Sequence, residues 1–277
     1  MENRPRPNRG SRDILDQRGW LCAQSSPVLS STVISDLDLT NPQAVAALID
    51  HTLLKPEAKQ QDIARICEEA RIFQFASVCI NPYWVSFAAE ALAGSGVRIC
   101  TVIGFPLGAN DLRTKIAEAD LALTQGAKEI DMVQNVGALR SREFHLVYKE
   151  IGDVADIAHS YGGFLKVILE TCLLTDEEKV TSCRIAQQSQ ADFVKTSTGF
   201  STGGATIADV QLMRRTVGAQ MGVKASGGIR TLANLREMVA AGANRIGASA
   251  GVAIVRELQS GSASETAALA PGEAHRY

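Results

Sequence analysis

The residue best suited to covalent chemistry is a lysine that ends a short apolar strand. Lys195 closes a run that includes Phe193 and Val194, and a loop rich in Gly, Ser and Thr follows it. Lysine is rarely buried unless it is paired, so this position needs an explanation. A desolvated lysine near another cation loses its proton and becomes an amine nucleophile. The alternative is a strand-end lysine whose amine reaches solvent.

Further charged residues lie on the inward faces of other predicted strands. Alternation places Glu129 and Asp131 on one face of the fourth strand, Lys166 on the fifth and Lys224 on the seventh. One such charge is explained by a structural ion pair, whereas three lysines and a carboxylate at one barrel mouth favour a catalytic role. Because Lys195 and Lys224 lie on neighbouring strands, we expect their repulsion to lower the pKa of one of them. A neutral lysine could form a Schiff base with a carbonyl substrate, and Asp131 could relay protons.

Spacing alone does not decide which of the two lysines is the nucleophile. The position of Lys195 at the end of its strand favours it over Lys224.

Glycine-rich loops follow the sixth, seventh and eighth strands and predict a phosphate site. Backbone N–H groups in such loops and at helix N-termini bind phosphate, and glycine lets the backbone approach the anion. Any single one of these glycines is explained equally well by a tight turn. The candidate substrate- and phosphate-binding residues are Thr198, Gly199, Gly204, Gly227, Gly228, Gly247 and Ser249.

The elements that must position these residues repeat regularly from residue 41 to residue 258. Eight apolar strands alternate with amphipathic helices and show no hairpin signal, which predicts a parallel sheet covered on its outer face. Eight such units predict an α/β fold, a single-domain (β/α)8 TIM barrel with its active site at the carboxyl ends of the strands. The runner-up is an open doubly wound sheet, which is weakened because no GxGxxG motif follows the first strand.

The two ends of the chain differ from this regular region. Residues 1–40 are polar and rich in helix breakers, and we expect a flexible N-terminal extension there. Residues 259–277 are rich in Ser, Ala and Glu and are expected to form a mobile C-terminal tail. The N-terminal segment has no apolar core of the kind that secretory signals carry, so no secretion signal is predicted.

Composition excludes several classes of function. A net charge of −2 without a basic block argues against nucleic-acid binding, and no apolar run is long enough to cross a bilayer. The six cysteines form no CxxC pair and the four histidines show no metal-ligand spacing, so neither a zinc site nor another metal site is predicted. Cysteines inside apolar patterns indicate reduced thiols, and we expect a cytoplasmic protein.

Seven segments resemble the deoxyribose-phosphate aldolases, a family of class I aldolases. The resemblance covers about residues 41–258. The segments that carry it are IDHTLLKP (49–56), VCINP (78–82), VIGFPLG (102–108), EIDMV (129–133), LKVILET (165–171), DFVKTSTGFSTGGAT (192–206) and VKASGGIR (223–230).

The resemblance implies specific roles for the residues identified above. The Schiff-base lysine of the family falls on Lys195, its second lysine on Lys224 and its proton-relaying aspartate on Asp131, while Lys166 matches a further active-site lysine. Some members use a C-terminal tyrosine, and Tyr277 is terminal here.

The implied reaction is reversible cleavage of 2-deoxy-D-ribose 5-phosphate to D-glyceraldehyde 3-phosphate and acetaldehyde, without metal or organic cofactor, in deoxyribonucleotide catabolism. The expected partners are the sugar phosphate and the aldehyde, in a homo-oligomer that is a dimer or a tetramer.

Two other functions remain open at this point. Another Schiff-base aldolase for a different sugar phosphate, or a transaldolase, would use the same lysines but would not release acetaldehyde. A non-catalytic barrel that binds phosphosugars, or one that serves as a scaffold for a partner protein, would not require paired lysines beside an acid.

Overall fold

The computed structural model describes residues 38–268, with side chains described for residues 38–261. Most of the expected N-terminal extension, the end of the expected C-terminal tail, Cys22 and Tyr277 therefore lie outside the described residues. Across the described part of the chain, no helix is long and apolar enough to cross a membrane.

Eight parallel strands close into a barrel, in which each strand pairs with the next and β8 pairs with β1. The predicted (β/α)8 barrel is confirmed, and its strands follow one another in sequence order. The strands are β1 (Ile49–Leu53), β2 (Ser77–Ile80), β3 (Arg98–Ile103), β4 (Glu129–Val133), β5 (Phe164–Ile168), β6 (Phe193–Lys195), β7 (Gly222–Ser226) and β8 (Arg245–Ala248).

Helices cover the outer face of the barrel between successive strands. The last of them continues past residue 258 to Ala268, so the first part of the expected C-terminal tail is helical. The helices are α1 (Pro42–Ala46), α2 (Gln60–Phe73), α3 (Val85–Ala91), α4 (Leu112–Thr124), α5 (Val136–Arg140), α6 (Phe144–Ser160), α7 (Asp176–Gln188), α8 (Ile207–Val217), α9 (Leu232–Ala240) and α10 (Gly251–Ala268).

Local sequence signals explain where several helices begin. Thr175 and Glu178 form a capping box at the start of α7, in which each side chain accepts a hydrogen bond from the other residue's backbone N–H. The Thr206 side chain accepts a hydrogen bond from the N–H of Asp209 and so caps α8. These caps fix the points at which the loops after β5 and β6 end.

The main apolar core lies between the strands and the helices, whereas the barrel interior carries charge. In α6, Val147, Ile151, Val154 and Ala158 recur at helical spacing and are fully buried. Strand side chains alternate between this core and the interior, so a charged residue between two apolar ones points inward. The register then sets the inward charges beside one another on neighbouring strands.

Candidate active site

Two of the predicted catalytic lysines meet at a single carboxylate oxygen. Lys195 is the last residue of β6 and is the register partner of Lys224 on β7. The Nζ atoms of both lysines donate to Oδ2 of Asp131, each at 2.7 Å. The prediction that the two amines approach closely is confirmed.

The fourth predicted residue holds the other oxygen of the same carboxylate. Lys166 is the register partner of Asp131 on the adjacent strand, and its Nζ donates to Asp131 Oδ1 at 2.9 Å. The Lys166 amine also lies 2.6 Å from a carboxylate oxygen of Glu129. All four side chains, Lys166, Lys195, Lys224 and Asp131, are therefore brought together, and none is more than 3% exposed.

Two members of this constellation were not identified from the sequence. Asp50 Oδ2 lies 2.5 Å from the Lys224 amine, and Asp50 Oδ1 accepts a hydrogen bond from Arg245 at 2.7 Å. Arg245 also reaches Glu129 at 3.3 Å. The expectation for a barrel site concerned strand ends, whereas Asp50 and Arg245 lie at the starts of β1 and β8. Alternation along β1 was the signal that could have revealed Asp50.

We refer to these seven buried side chains together as the barrel charge cluster. Its members are Asp50, Glu129, Asp131, Lys166, Lys195, Lys224 and Arg245.

The pKa shifts in this cluster favour charged forms and correct one expectation. Burial alone would raise the pKa of Asp131, but Lys166, Lys195 and Lys224 outweigh it and hold that pKa well below the usual range. Burial alone would lower the pKa of Lys224, but Asp131 and Asp50 outweigh it and raise that pKa. The expectation that repulsion lowers a lysine pKa is thus wrong for Lys224, because two carboxylates face its amine.

The charge count singles out Lys195 among the three lysines. Four buried cations face three carboxylates in the barrel charge cluster, and the partly exposed Arg98 also lies 3.4 Å from Glu129, so one proton can be lost without leaving a carboxylate unpaired. Lys195 contacts one carboxylate, Asp131, whereas Lys224 also contacts Asp50 and Lys166 also contacts Glu129. A neutral Lys195 therefore gives up the fewest ionic contacts.

An apolar wall borders the barrel charge cluster and contacts it where the Lys166 amine meets Cys100 Sγ at 3.4 Å. Leu54, Cys79, Cys100 and Val102 form one buried group, and Phe105 packs against it. The Phe105 ring makes an edge-to-face contact with Phe200 from the loop after β6, at 5.3 Å between centroids. This pair joins the loops that follow β3 and β6.

The glycine-rich loops after β6 and β7 touch through their backbones. A side chain added at Gly204 would come within 2.4 Å of the carbonyl oxygen of Gly227, and Ala205 N–H donates to that oxygen. Gly199 and Gly228 both have positive φ angles and open space where a side chain would stand. At these glycines no side chain covers the backbone of the barrel mouth, so its N–H groups can approach a phosphate.

The other candidate phosphate residues differ in how accessible they are. Gly247 of β8 packs against the hydroxyl of Ser226, and Ser249 is exposed in the turn before α10. Thr198 is buried, and its N–H and hydroxyl both bind the carboxylate of Glu170. The Thr198 hydroxyl also accepts a hydrogen bond from the N–H of Phe200. The N–H and hydroxyl of Thr198 therefore hold the loop after β6 in place through hydrogen bonds within the protein.

Among the side chains that the structure describes, two groups have donor atoms close enough together to hold a metal ion. One consists of Cys79, Cys100 and Asp131, and the other of Asp50, Cys100 and Glu129. The carboxylates in both groups already bind lysine or arginine side chains at 2.5 to 3.4 Å. A divalent ion would have to displace those cations, so this donor set fits buried ammonium groups better than a metal.

Comparison with known proteins gives concordant results over the barrel. Residues 44–260 match the family model described as "DeoC/LacD family aldolase". The chain is 58% identical over 214 residues to the deoxyribose-phosphate aldolase of Caldanaerobacter subterraneus subsp. tengcongensis, covering 77% of this chain and 93% of that protein. It is 59% identical over 208 residues to the enzyme of that name from Streptococcus sanguinis, covering 75% and 94% respectively.

Among solved structures, the chain resembles the deoxyribose phosphate aldolase of Aeropyrum pernix, described as having a unique tetrameric structure. The TM-score is 0.75 at 36% identity, and the match covers 79% of this chain and 93% of that one.

Proposed function

The chain belongs to the DeoC/LacD family of aldolases, and from this premise we propose that it cleaves 2-deoxy-D-ribose 5-phosphate reversibly to D-glyceraldehyde 3-phosphate and acetaldehyde. The relatives from Caldanaerobacter subterraneus and Streptococcus sanguinis, which share more than half of their aligned residues with it, support this substrate. The observation that carries the mechanism is the single Asp131 oxygen shared by the amines of Lys195 and Lys224.

Lys195 is the nucleophile in this mechanism. Its neutral amine attacks the aldehyde carbon of the open-chain sugar, and loss of water leaves an iminium ion. Asp131 lies 2.7 Å from the same nitrogen, so its carboxylate stabilises the positive charge that the iminium carries. The proton released at each step passes through Asp131 and bound water.

Cleavage then breaks the bond between carbons 2 and 3 of the sugar. Removal of the proton from the 3-hydroxyl turns that carbon into the aldehyde of glyceraldehyde 3-phosphate, and the electron pair moves into an enamine on Lys195. Protonation of the enamine and attack by water release acetaldehyde. Lys224 and Lys166 hold the two oxygens of Asp131 in place throughout.

The phosphate end of the substrate binds the bare backbone of the loops after β6, β7 and β8. Gly204, Gly227, Gly228, Gly247 and Ser249 supply N–H groups or close approach for the phosphate oxygens. Gly199 gives the β6 loop its positive-φ turn, and Thr198 holds that loop in position through Glu170. These assignments follow the positions of the glycines at the carboxyl ends of the strands.

The setting in which the enzyme works is also part of the proposal. We propose a cytoplasmic homo-oligomer, either a dimer or a tetramer. The tetramer described for the Aeropyrum pernix relative supports the assembly. The five cysteines in the described part of the chain are free thiols, which fits a reducing compartment.

The test is to trap the imine with borohydride in the presence of 2-deoxy-D-ribose 5-phosphate. Reduction leaves an ethyl group on Lys195 where the acetaldehyde imine is trapped and the five-carbon sugar phosphate where the first imine is trapped. In both cases trypsin no longer cleaves there, and a modified peptide spanning residues 185–214 is expected. A coupled assay for acetaldehyde runs in parallel. An adduct on Lys195 without acetaldehyde would indicate a different Schiff-base aldolase or a transaldolase, and an unmodified Lys195 would contradict the mechanism.

A further inference from the structure

Two thiols stand side by side inside the barrel, and the proposed reaction gives neither of them a task. Cys79 on β2 and Cys100 on β3 are register partners on adjacent parallel strands. Both are fully buried in the apolar wall and neither is in a disulfide. The remaining described cysteines, Cys67, Cys172 and Cys183, lie on other elements.

The separation of the two sulfurs suits a bond between them. The two sulfur atoms and a carboxylate oxygen of Asp131 all lie within 4.8 Å of one another. Adjacent strands run about 4.8 Å apart, which falls inside the Cα separation that disulfides span. Closing the sulfurs to bonding distance needs side-chain rotation and a small strand shift. A bond formed under such strain is easily reduced, as reversible disulfides are.

The thiol pair is connected directly to the proton-relaying carboxylate. Cys100 Sγ donates to Asp131 Oδ1 at 3.2 Å and accepts from the Lys166 amine at 3.4 Å. A disulfide sulfur has no proton to donate, and bonding to Cys79 draws Cys100 away from Asp131. Oxidation would therefore alter the hydrogen bonds of the carboxylate that also binds Lys195 and Lys224.

The environments of the two thiols give them different chemical roles. The neighbouring Cys100 thiol and the positive charge of Lys224 lower the pKa of Cys79. Burial and the neighbouring Cys79 sulfur raise the pKa of Cys100. Cys79 is thus the thiol that ionises first and attacks an oxidant, while Cys100 is placed to complete the bond.

We propose that Cys79 and Cys100 form a redox-modification site, at which a hydroperoxide converts the two thiols to a disulfide and switches the aldolase off. The Cys79 thiolate attacks the peroxide, a sulfur–oxygen bond forms, the oxygen–oxygen bond breaks and hydroxide leaves. Cys100 then displaces the hydroxyl of the sulfenic acid as water. In sum two thiols lose two electrons and two protons, and hydrogen peroxide becomes two molecules of water.

The oxidant enters by the route that the substrate uses. An aldehyde must reach the Lys195 amine inside the barrel mouth, and hydrogen peroxide is smaller than that aldehyde. Cys100 contacts Asp131, which also contacts the Lys195 amine, so the thiols border the same interior space.

The experiment treats the full-length protein with hydrogen peroxide, removes the oxidant and measures aldolase rate and peptide masses without reduction. Trypsin releases Cys79 in the peptide of residues 72–98 and Cys100 in that of residues 99–113, so a disulfide links these two peptides. We expect this linked species, a rate loss of roughly 100-fold, typical of a disabled proton-transfer group, and recovery with dithiothreitol.

Cysteine variants separate this site from the other thiols. Cys79→Ser should keep its own starting rate after peroxide treatment and Cys100→Ser should form no linked species, whereas Cys172→Ser, which removes an exposed thiol, should lose activity as the wild type does. Peroxide sensitivity that persists in Cys79→Ser, or a linked species with full activity, would overturn the proposal. The peptide measurement does not depend on the substrate, so failure of the proposed reaction is distinguishable from failure of the switch.

Discussion

Two buried groups of charges in this molecule use the same residue types and perturb them in opposite directions. In the barrel charge cluster, the pKa values of Asp50 and Asp131 fall and the pKa of Lys224 rises. Between the barrel and its helices, Lys115 and Glu150 form an isolated pair 2.8 Å apart, also fully buried. There burial dominates, lowering the pKa of Lys115 and raising that of Glu150.

The number of counter-charges accounts for the difference. Asp131 contacts the amines of three lysines, and the attraction of these lysines exceeds the penalty of burial. Glu150 contacts one ammonium group, and that attraction does not offset burial. The amine of Lys115 also donates to the carbonyl oxygens of Gly108 and Val133, so this pair fastens the loop after β3 to the end of β4. The first group contains the proposed catalytic residues, whereas the second holds two structural elements together.

The largest effect is expected from removing the nucleophile. Lys195→Met leaves three cations facing three carboxylates, so the fold should persist while the aldolase rate falls by about 10⁴-fold or more. The rate of acetaldehyde release and the circular dichroism spectrum measure the two expectations. Lys149→Met, on the exposed side of α6, is the matched control and should retain the rate. A Lys195→Met variant with a substantial rate would refute the assignment.

Removing a second lysine should separate rate from stability. Lys224→Met leaves Asp131 in contact with the amines of Lys166 and Lys195, and Asp50 with Arg245, so the free energy of unfolding should fall only slightly. The rate should fall by roughly 10²- to 10⁴-fold, because Asp131 is no longer held for proton transfer. Urea unfolding and the acetaldehyde assay together check this pattern. A large loss of stability with little loss of rate would contradict this expectation, because it would give Lys224 the structural role that is assigned to Lys115.

The isolated pair should show the opposite pattern. Lys115→Met leaves the buried Glu150 carboxylate without an ammonium partner, which should lower the free energy of unfolding by about 3–5 kcal/mol. The double variant Lys115→Met/Glu150→Leu should recover most of that loss, because no buried charge remains. Equilibrium urea unfolding measures both variants. If the single variant were as stable as the wild type, the pair would have no role in fastening the β3 loop.

A partly exposed pair completes the series with the smallest effect. His159 Nε2 lies 3.0 Å from an Asp192 oxygen, and this hydrogen bond raises the pKa of His159. Its stabilisation is complete below the unfolded pKa of 6.5 and is lost as pH rises through the higher folded value. His159→Gln should therefore lower stability by about 0.5 kcal/mol in mild acid and by less in alkali.

Unfolding measured across that pH range tests this expectation. His145→Gln on the same helix controls for the loss of an exposed histidine. A constant difference between His159→Gln and the wild type at all pH values would contradict the linkage.

Sequence periodicity was sufficient for the barrel and for the lysines at its mouth. Inward alternation on β4 and β5 identified Asp131 and Lys166, and the neighbouring strands of Lys195 and Lys224 predicted their proximity. The direction of the Lys224 pKa shift was not predictable from the sequence. It depends on Asp50, which lies on β1 and is far from Lys224 in the sequence. The Lys115–Glu150 pair was equally hidden, since each residue sits in an ordinary helical pattern and their contact is purely tertiary.

The close backbone contact between Gly204 and Gly227 limits how this enzyme can be engineered. A single methyl group at Gly204 would collide with a carbonyl oxygen at 2.4 Å. Mutations that enlarge the proposed phosphate site or change its polarity must therefore retain Gly204 and Gly227. Phe200 is half exposed and contacts Phe105. It is therefore a position that can be substituted without separating the loops after β6 and β7.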